Sequence, residues 1–412
     1  MTIRLGWTSL ICVLALVLAG FVGWKTKPRF DDPHSLDDPQ PTASAIPADP
    51  GTLSTQGHPA IQGRQPVPAS TDPATSWGLR VGTEDGPIAL AATPYGPIAI
   101  NPHQDRDTQD GDERTSDASV YALDPSTGEV RWHRDIHPDL DSADRYAESS
   151  FDDMDTLVFQ TVQTSPDGEH LALRLELQRS QPLSQTIIVL STRTGDVIRT
   201  VETKDSNVLG QALTNDVLLV QTSSTLHPDG GSVHSYSLTD TKAPADSWAS
   251  TGWLAGATSR GVIQSAMKER YPCNAGVGER CTLSHITLSD PASGKLRETY
   301  DRVTAIRPSG AIERLADGET APPPRDPAWA TVRRELINLE SGATTDITGH
   351  EVEEAVIPSG RAWLLTPLPD AENPAAWIST DGSLSTGPIE VIRHPDDAPE
   401  IFRTTVTMTP GG

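Results

Sequence analysis

The sequence predicts an all-β chain whose main domain is a β-propeller of about seven blades, with six or eight as the alternatives. One N-terminal transmembrane helix and a disordered linker are expected to precede it. Three observations predict this plan. Proline (35) and glycine (32) make up about a sixth of the 412 residues, a load of breakers that favours short elements joined by turns. One hairpin pattern recurs along the chain. Its copies fall at intervals of 40 to 50 residues after a longer first gap, as a blade repeat would.

The clearest copy runs from Val120 to Trp132, VYALDPSTGEVRW. An apolar strand ends at Leu123, Asp124 and Pro125 open a turn, Gly128 supplies the positive φ of its exit, and a second strand reaches Trp132. Ile187 to Ile198 keeps the same distance from Leu190 to Gly195. His285 to Leu296 keeps an Asp-Pro-x-x-Gly turn at Asp290 and Gly294 but reads as one residue longer. Leu336 to Gly342 is a shortened copy, with weaker echoes at Val233–Leu238 and Trp377–Gly382. With Tyr121, Ile188, Tyr236, Ile286, Leu336 and Trp377 as markers, the gaps are 67, 48, 50, 50 and 41 residues. The long first gap holds an acidic insert, Asp139 to Asp155, expected on a loop. Inner strands are expected at Thr156–Gln160, Leu171–Leu175 and Val217–Val220, with a turn at Ser165–His170 before the second.

The Val120–Trp132 copy resembles the PQQ-type (quinoprotein-like) β-propeller repeat, an apolar strand followed by a Leu-Asp-x-x-Thr-Gly turn and a terminal Trp. The later copies match at the turn and have Thr200 or Glu298 near the tryptophan position. The resemblance spans most of 77–412 as periodicity. It implies the propeller fold and, where cofactor residues are lacking, the non-enzymatic envelope branch of scaffolds and binding modules. The family's quinoprotein alcohol dehydrogenases pair adjacent cysteines against the quinone. Here Cys273 and Cys281 are separated by seven intervening residues, so no quinone is expected.

The N-terminal part divides into a short cytosolic tail (1–4), a span (5–24) and a linker (25–76). Leu5 to Trp24 is an uncharged run of twenty residues, which matches the roughly 30 Å hydrocarbon layer of a bilayer. Trp7 and Trp24 sit near its ends, where interfacial aromatics belong. A signal anchor is preferred to a cleaved signal peptide. Lys25, Lys27 and Arg29 after the span favour an inward C-terminal domain. The size and acidity of that domain, and the cysteine pair, favour the outside. The segment from Phe30 to about Ser76 is rich in Pro, Asp, Ser and Thr without apolar periodicity, as an extended solvated tether would be.

Chemistry is sparse. Cys273 and Cys281 flank a loop with two glycines, and a structural disulfide there fits an oxidising compartment. The net charge of −24 excludes nucleic acid as a partner, because phosphate backbones require clustered Lys and Arg. His133 and His137 have the i, i+4 spacing that serves zinc only on a helix, and are expected on a solvated loop. The acidic run Asp105–Glu113 lacks the glycine and glutamate placement of a calcium loop. No Gly-x-Ser-x-Gly elbow and no dinucleotide loop is present. No catalytic, cofactor or metal residue is therefore named, and no cofactor is expected. The expected function is a single-pass cell-membrane protein, held by residues 5–24 in the lipid bilayer. Its extracytoplasmic propeller would bind or scaffold an envelope protein or polymer through its loops. The alternative is a catalytic propeller, either a quinone-dependent dehydrogenase or a lyase or hydrolase whose residues converge only in three dimensions.

Overall fold

The computed structural model describes residues 41–43, 51–55, 61–65, 78–81, 89–102, 118–125, 129–136, 146–147, 162–177, 185–203, 207–223, 230–270, 282–307, 310–323, 326–357, 360–368, 371, 376–379, 384–385, 389–391, 401–402 and 406–408. Within these the chain is all-β, with a single 3-10 turn at Pro327–Ala330. Four short strands come first: β1 (Thr42–Ala43), β2 (Gly51–Ser54), β3 (Ile61–Gln65) and β4 (Gly78–Val81). Six antiparallel units follow. Unit I is β5 (Ala89–Ala91), β6 (Ile98–Pro102), β7 (Ala118–Leu123) and β8 (Val130–Ile136). A two-residue strand, β9 (Tyr146–Ala147), then precedes unit II, which is β10 (Val162–Thr164), β11 (His170–Leu177), β12 (Gln185–Ser191) and β13 (Val197–Thr203). Unit III is β14 (Asn207–Leu213), β15 (Val217–Ser223), β16 (Gly231–Ser237) and β17 (Asp246–Ser250). Unit IV is β18 (Trp253–Thr258), β19 (Gly261–Arg270), β20 (Thr282–Ser289) and the first part of β21 (Leu296–Arg307).

Unit V has no first strand of its own. β21 pairs with β20 as far as Val303 and with β22 (Ala311–Leu315) from Val303 to Arg307, so one long strand serves two units. β23 (Arg334–Asn338) and β24 (Thr344–Asp346) complete unit V. The junction passes through Arg302 at φ +64°, the one non-glycine residue with positive φ among the described residues. Its guanidinium donates to the carbonyls of Ala316 (3.3 Å) and Glu319, which holds this uncommon backbone in place. Unit VI is β25 (His350–Ile357), β26 (Gly360–Pro367), β27 (Ala376–Ser379) and β28 (Leu384–Ser385). Beyond it β29 (Ile389–Val391) pairs with β31 (Val406–Met408), and β30 (Ile401–Phe402) pairs with β4, giving a three-stranded sheet β3–β4–β30.

Each of the six sequence markers lies on the third strand of a different unit: Tyr121 on β7, Ile188 on β12, Tyr236 on β16, Ile286 on β20, Leu336 on β23 and Trp377 on β27. The units stack in chain order. One apolar core joins I to II through Ile98, Val120, Trp132, Leu171 and Ile188. Another joins II to III through Ile187, Val201, Leu218 and Tyr236, and a third joins III to IV through Leu219, Trp248, Leu254 and Val262. The first strands approach one another in the order β5, β10, β14, β18. Meanders stacked about their first strands form a propeller arrangement.

Several expectations change. Leu171–Leu175 and Val217–Val220 lie on the second strands β11 and β15, not on inner strands. Second strands are covered on both faces and read as unbroken apolar runs, which makes them conspicuous in the sequence. The inner strands β10, β14 and β18 carry glutamine or glycine, and at Gly210 the reason is a close approach of backbones. A Cβ on Gly210 of β14 would collide with the Leu254 carbonyl of β18. Thr156–Gln160 lies outside the described residues. Of the acidic insert, Tyr146–Ala147 (β9) pairs with β11.

Two further findings fall within the segment read as a tether. β1 adds to the outer edge of β13, and β2 adds to the outer edge of β8. Ala43 packs against the core between units II and III, and Leu53 against the core between I and II. A single inserted side chain per strand leaves no periodicity for a sequence reading to detect.

Candidate functional site

In an antiparallel meander the connections between strands 1–2 and 3–4 emerge at one end, and those between strands 2–3 and successive units emerge at the other. Here the two ends differ sharply. The first face carries turns such as 165–169, 192–196, 214–216, 259–260 and 290–295. At the second end the described strands stop at either side of residues 103–117, 178–184, 224–230, 271–281, 316–333 and 368–375, and of the unit I-to-II connection 137–161.

The short-turn face is a scaffold that closes on itself. Four strand 3–4 turns share one hydrogen-bond frame: Asp124 N to Glu129 O, Ser191 N to Asp196 O, Asp290 N to Lys295 O, and Asn338 N to Ala343 O, at 2.7–2.9 Å. The backbone N–H groups of Gly195, Gly294 and Gly342 donate back to residues 191, 290 and 338, and all three glycines have φ between +66° and +78°. The Asp290 turn is thus the same length as the others. It looks longer in sequence because Ser289 separates Leu288 from the turn, at a register shift between those two residues. Asp290 Oδ1 accepts from the Ser293 hydroxyl and from the backbone N–H groups of Ser293 and Ala292, at 2.9–3.1 Å. Ser293 foremost, with Arg297, holds its carboxyl below the ordinary carboxylate range.

These turns receive side chains from the preceding unit. Trp132, 2% exposed on β8, donates Nε1–H to the Thr192 carbonyl (3.2 Å) and covers Gly195, where an added Cβ would stand 2.8 Å from the ring. Trp248 on β17 repeats this at the interface between units III and IV, donating to the Pro291 carbonyl (3.3 Å) and covering Gly294. Between units II and III the place of Trp132 is taken by Arg199, which donates to the Thr241 carbonyl (2.7 Å) with its guanidinium over the Tyr236 ring (5.7 Å). Arg260 donates to the Leu339 carbonyl between IV and V, whereas between V and VI the joining contact lies at the opposite end, where Arg334 at the start of β23 donates to the His350 carbonyl. The sequence reading missed Trp248, Arg199 and Arg334. The turn before Trp248 is longer (238–245), which moves the tryptophan out of repeat spacing.

The named motif residues separate as follows. Leu123 and Leu190 are fully buried, Trp132 and Gly195 meet at the I–II interface, and Asp290 and Gly294 build the unit IV turn. Asp124 closes the unit I turn, while Gly128, Cys273 and Cys281 lie outside the described residues. His133 is not on a solvated loop. β8 continues through it, and it is buried, with its ring 6.2 Å from that of Tyr121. His137 and the 105–113 run lie outside the described residues. Among the described residues no group of three or more His, Cys, Asp or Glu could hold a metal ion, and no helix is long and apolar enough to cross a membrane.

In units I to IV the inner strands are apolar and amide-lined: β5, β10, β14 and β18 contain no Asp, Glu, His, Lys or Arg, whereas β25 of unit VI carries His350, Glu351, Glu353 and Glu354. Some amides of units I to IV bridge neighbouring units. Gln163 donates to the Gln211 carbonyl (2.9 Å), and Gln221 of β15 bridges to β18 by donating to the Gly252 carbonyl (2.7 Å) and accepting from Leu254 N (2.8 Å).

The longest connection described on the long-connection face is the excursion of unit V, residues 316–323 and 326–333. Leu315, Ala321, Trp329 and Val332 pack on Leu283 of unit IV. Asp326 caps the 3-10 turn by accepting from Ala328 N (2.8 Å), and Trp329 donates to the Pro323 carbonyl (2.9 Å). Beneath it Glu313 is 3% exposed, with one carboxylate oxygen on Arg307 and the other on Arg334 (3.3 Å). Burial lowers the affinity of the Arg334 guanidinium for its proton, and Glu313 opposes that shift. The result is a firm platform whose outer surface, at Asp317, Thr320, Pro327 and Ala328, is open.

No family model matches the chain, and no curated protein matches it. Several solved structures are similar. The β-propeller domain of the Trilobed protease from Pyrococcus furiosus aligns at TM-score 0.42 and 9% identity, over 76% of this chain and 85% of that one. BamB from Moraxella catarrhalis aligns at 0.31 and 11%, over 74% and 90%. An acylaminoacyl peptidase from Pyrococcus horikoshii aligns at 0.36 and 8%, over 56% of this chain and only 39% of that one. At TM-scores below 0.5 the propeller arrangement rests on this chain's own strand pairing.

Proposed function

We propose that the chain is a membrane-anchored, extracytoplasmic binding or scaffold module whose long-connection face engages an envelope protein or polymer. The observation that carries this reading is the division of labour between the two ends and the inner strands. The inner strands of four consecutive units offer amides and apolar groups, which suit packing and do not assemble an acid–base or metal site. The short turns are consumed in unit-to-unit contacts. The sequence length that varies is concentrated at the other end, where loops on a rigid scaffold commonly carry recognition. Two of those connections, 103–117 and 137–161, are strongly acidic, which favours a partner with a basic surface.

The anchor is residues 5–24, the compartment is oxidising, and Cys273 and Cys281 form a disulfide in the 271–281 connection. The repeat is of the PQQ type. The ring has seven blades, six being units I–VI and the seventh contributed by both ends of the chain through β3, β4 and β30. Photocrosslinkers placed in intact cells at Thr320 on the long-connection face and at Ser341 on the short-turn face test the binding role. The reading expects one envelope partner recovered from Thr320 and none from Ser341. Recovery from Ser341 alone, or turnover of a small substrate by the purified chain, contradicts it.

A further inference from the structure

The pairing of β1 and β2 bears on how the domain sits relative to the bilayer. The tether is far shorter than its composition indicates. The span ends at Trp24, and Pro41 already touches the folded domain, since its carbonyl accepts from the buried Tyr236 hydroxyl at 2.8 Å. Thr42 pairs with Glu202 and Ala43 with Val201. Only residues 25–40 are left to connect span and domain, instead of the whole of 25–76.

The register also fixes the end at which the chain enters. β13 runs from the short turn 192–196 toward the unit II-to-III connection at 204–206. Thr42 opposite Glu202 puts Pro41 at the far end of β13, on the long-connection face. β2 has the same sense, with Gly51 opposite Ile136 at that end of β8. The chain therefore meets the domain at the outer edge between units II and III, on the face with the long connections.

We infer that this face is held toward the lipid surface, so that the partner it engages is membrane-proximal. The inference rests on reading residues 5–24 as a bilayer span. Sixteen residues of chain cannot span more than about 55 Å. The acidic connections on this face oppose anionic headgroups, but at physiological ionic strength that repulsion decays over about 8 Å. The tether length therefore sets the standoff, and the charge keeps the face from adhering.

The test uses the full chain in vesicles of phosphatidylcholine with an acceptor dye in the headgroup layer. Single donor fluorophores are introduced through a bioorthogonal amino acid at Thr251 or at Lys242. Both sites are exposed and belong to unit III, at opposite ends of β17, with Thr251 on the long-connection face. The expected result is that Thr251 lies nearer the headgroups by about 17 Å, the length of the strand between the two sites. Lengthening the tether between Asp37 and Asp38 by about forty Gly/Ser residues raises its reach and should erase most of that difference. Flotation with the vesicles is scored in parallel. A chain that does not float refutes the anchor and the standoff together. A chain that floats with equal or reversed distances refutes the standoff and leaves the anchor intact.

Discussion

The contact between Trp132 and Gly195 makes a quantitative prediction about how the units are joined. Trp132→Ala removes a ring that is 2% exposed and packed in the I–II core, together with its bond to the Thr192 carbonyl. Substitutions of this kind cost about 3–5 kcal/mol. Gly195→Ala incurs two separate costs. Alanine at φ +78° is disfavoured by about 1–2 kcal/mol. Its Cβ would also stand 2.8 Å from Trp132 and 2.7 Å from Leu53, an overpacking cost of about 1–3 kcal/mol. In the Trp132→Ala background the ring is absent and the Leu53 side chain can turn aside, which leaves chiefly the backbone cost. The double-mutant cycle should therefore show a coupling of about 1–3 kcal/mol, the double variant being more stable than the sum of the singles implies. Urea unfolding of the full chain, followed by far-UV circular dichroism, measures all four corners. Additivity within about 0.5 kcal/mol would refute the stacked contact.

Three further outcomes follow from the same structure. Glu313→Ala leaves Arg334 buried without its carboxylate and should cost about 3–5 kcal/mol by urea unfolding, while Glu313→Leu with Arg334→Met should recover most of the loss. Arg302→Gly suits the φ of +64° but releases the Ala316 and Glu319 carbonyls, so hydrogen exchange should rise in 316–333 and stay unchanged in units I to III. Asp290 has a lowered folded-state pKa, so its contribution to stability is present above the unfolded-state value and is lost as pH falls through the folded-state value. The stability gap between wild type and Asp290→Asn should thus be open at pH 7 and close below about pH 4, as read from urea midpoints.

How much of this was legible in the sequence depended on which forces left a local trace. The third strands were found because they are buried and end in a turn with fixed chemistry. Ile188 and Ile286 are fully buried, and the glycine four residues beyond the opening turn residue sits at positive φ in units II, IV and V. The joining residues left less trace. Arg199 and Trp132 perform one task with unrelated side chains, and Trp248 lies behind a longer turn, so no spacing rule collects them. β1 and β2 were invisible because edge strands that insert one side chain each require no pattern. The division between short and long connections was written in the sequence throughout, but it acquires meaning only when the meander assigns each connection to an end. The inner strands were misplaced for a related reason. Close approach of backbones selects Gly210, the Gln163 amide bridges to Gln211, and such residues read as loop when strand propensity is the guide.

The claim on which the platform depends is that both ends of the chain meet in one blade and close the ring. β4 and β30 supply the most direct test, because Arg80 and Ile401 are paired neighbours across them. In the Arg80→Cys, Ile401→Cys variant, oxidation should link the two ends of the chain. After proteolytic nicking between them, the halves should migrate together until reduced, and mass spectrometry should recover the 80–401 cross-link. Two thiols that react freely with a small reagent yet never cross-link would contradict ring closure and leave an open arc of six units.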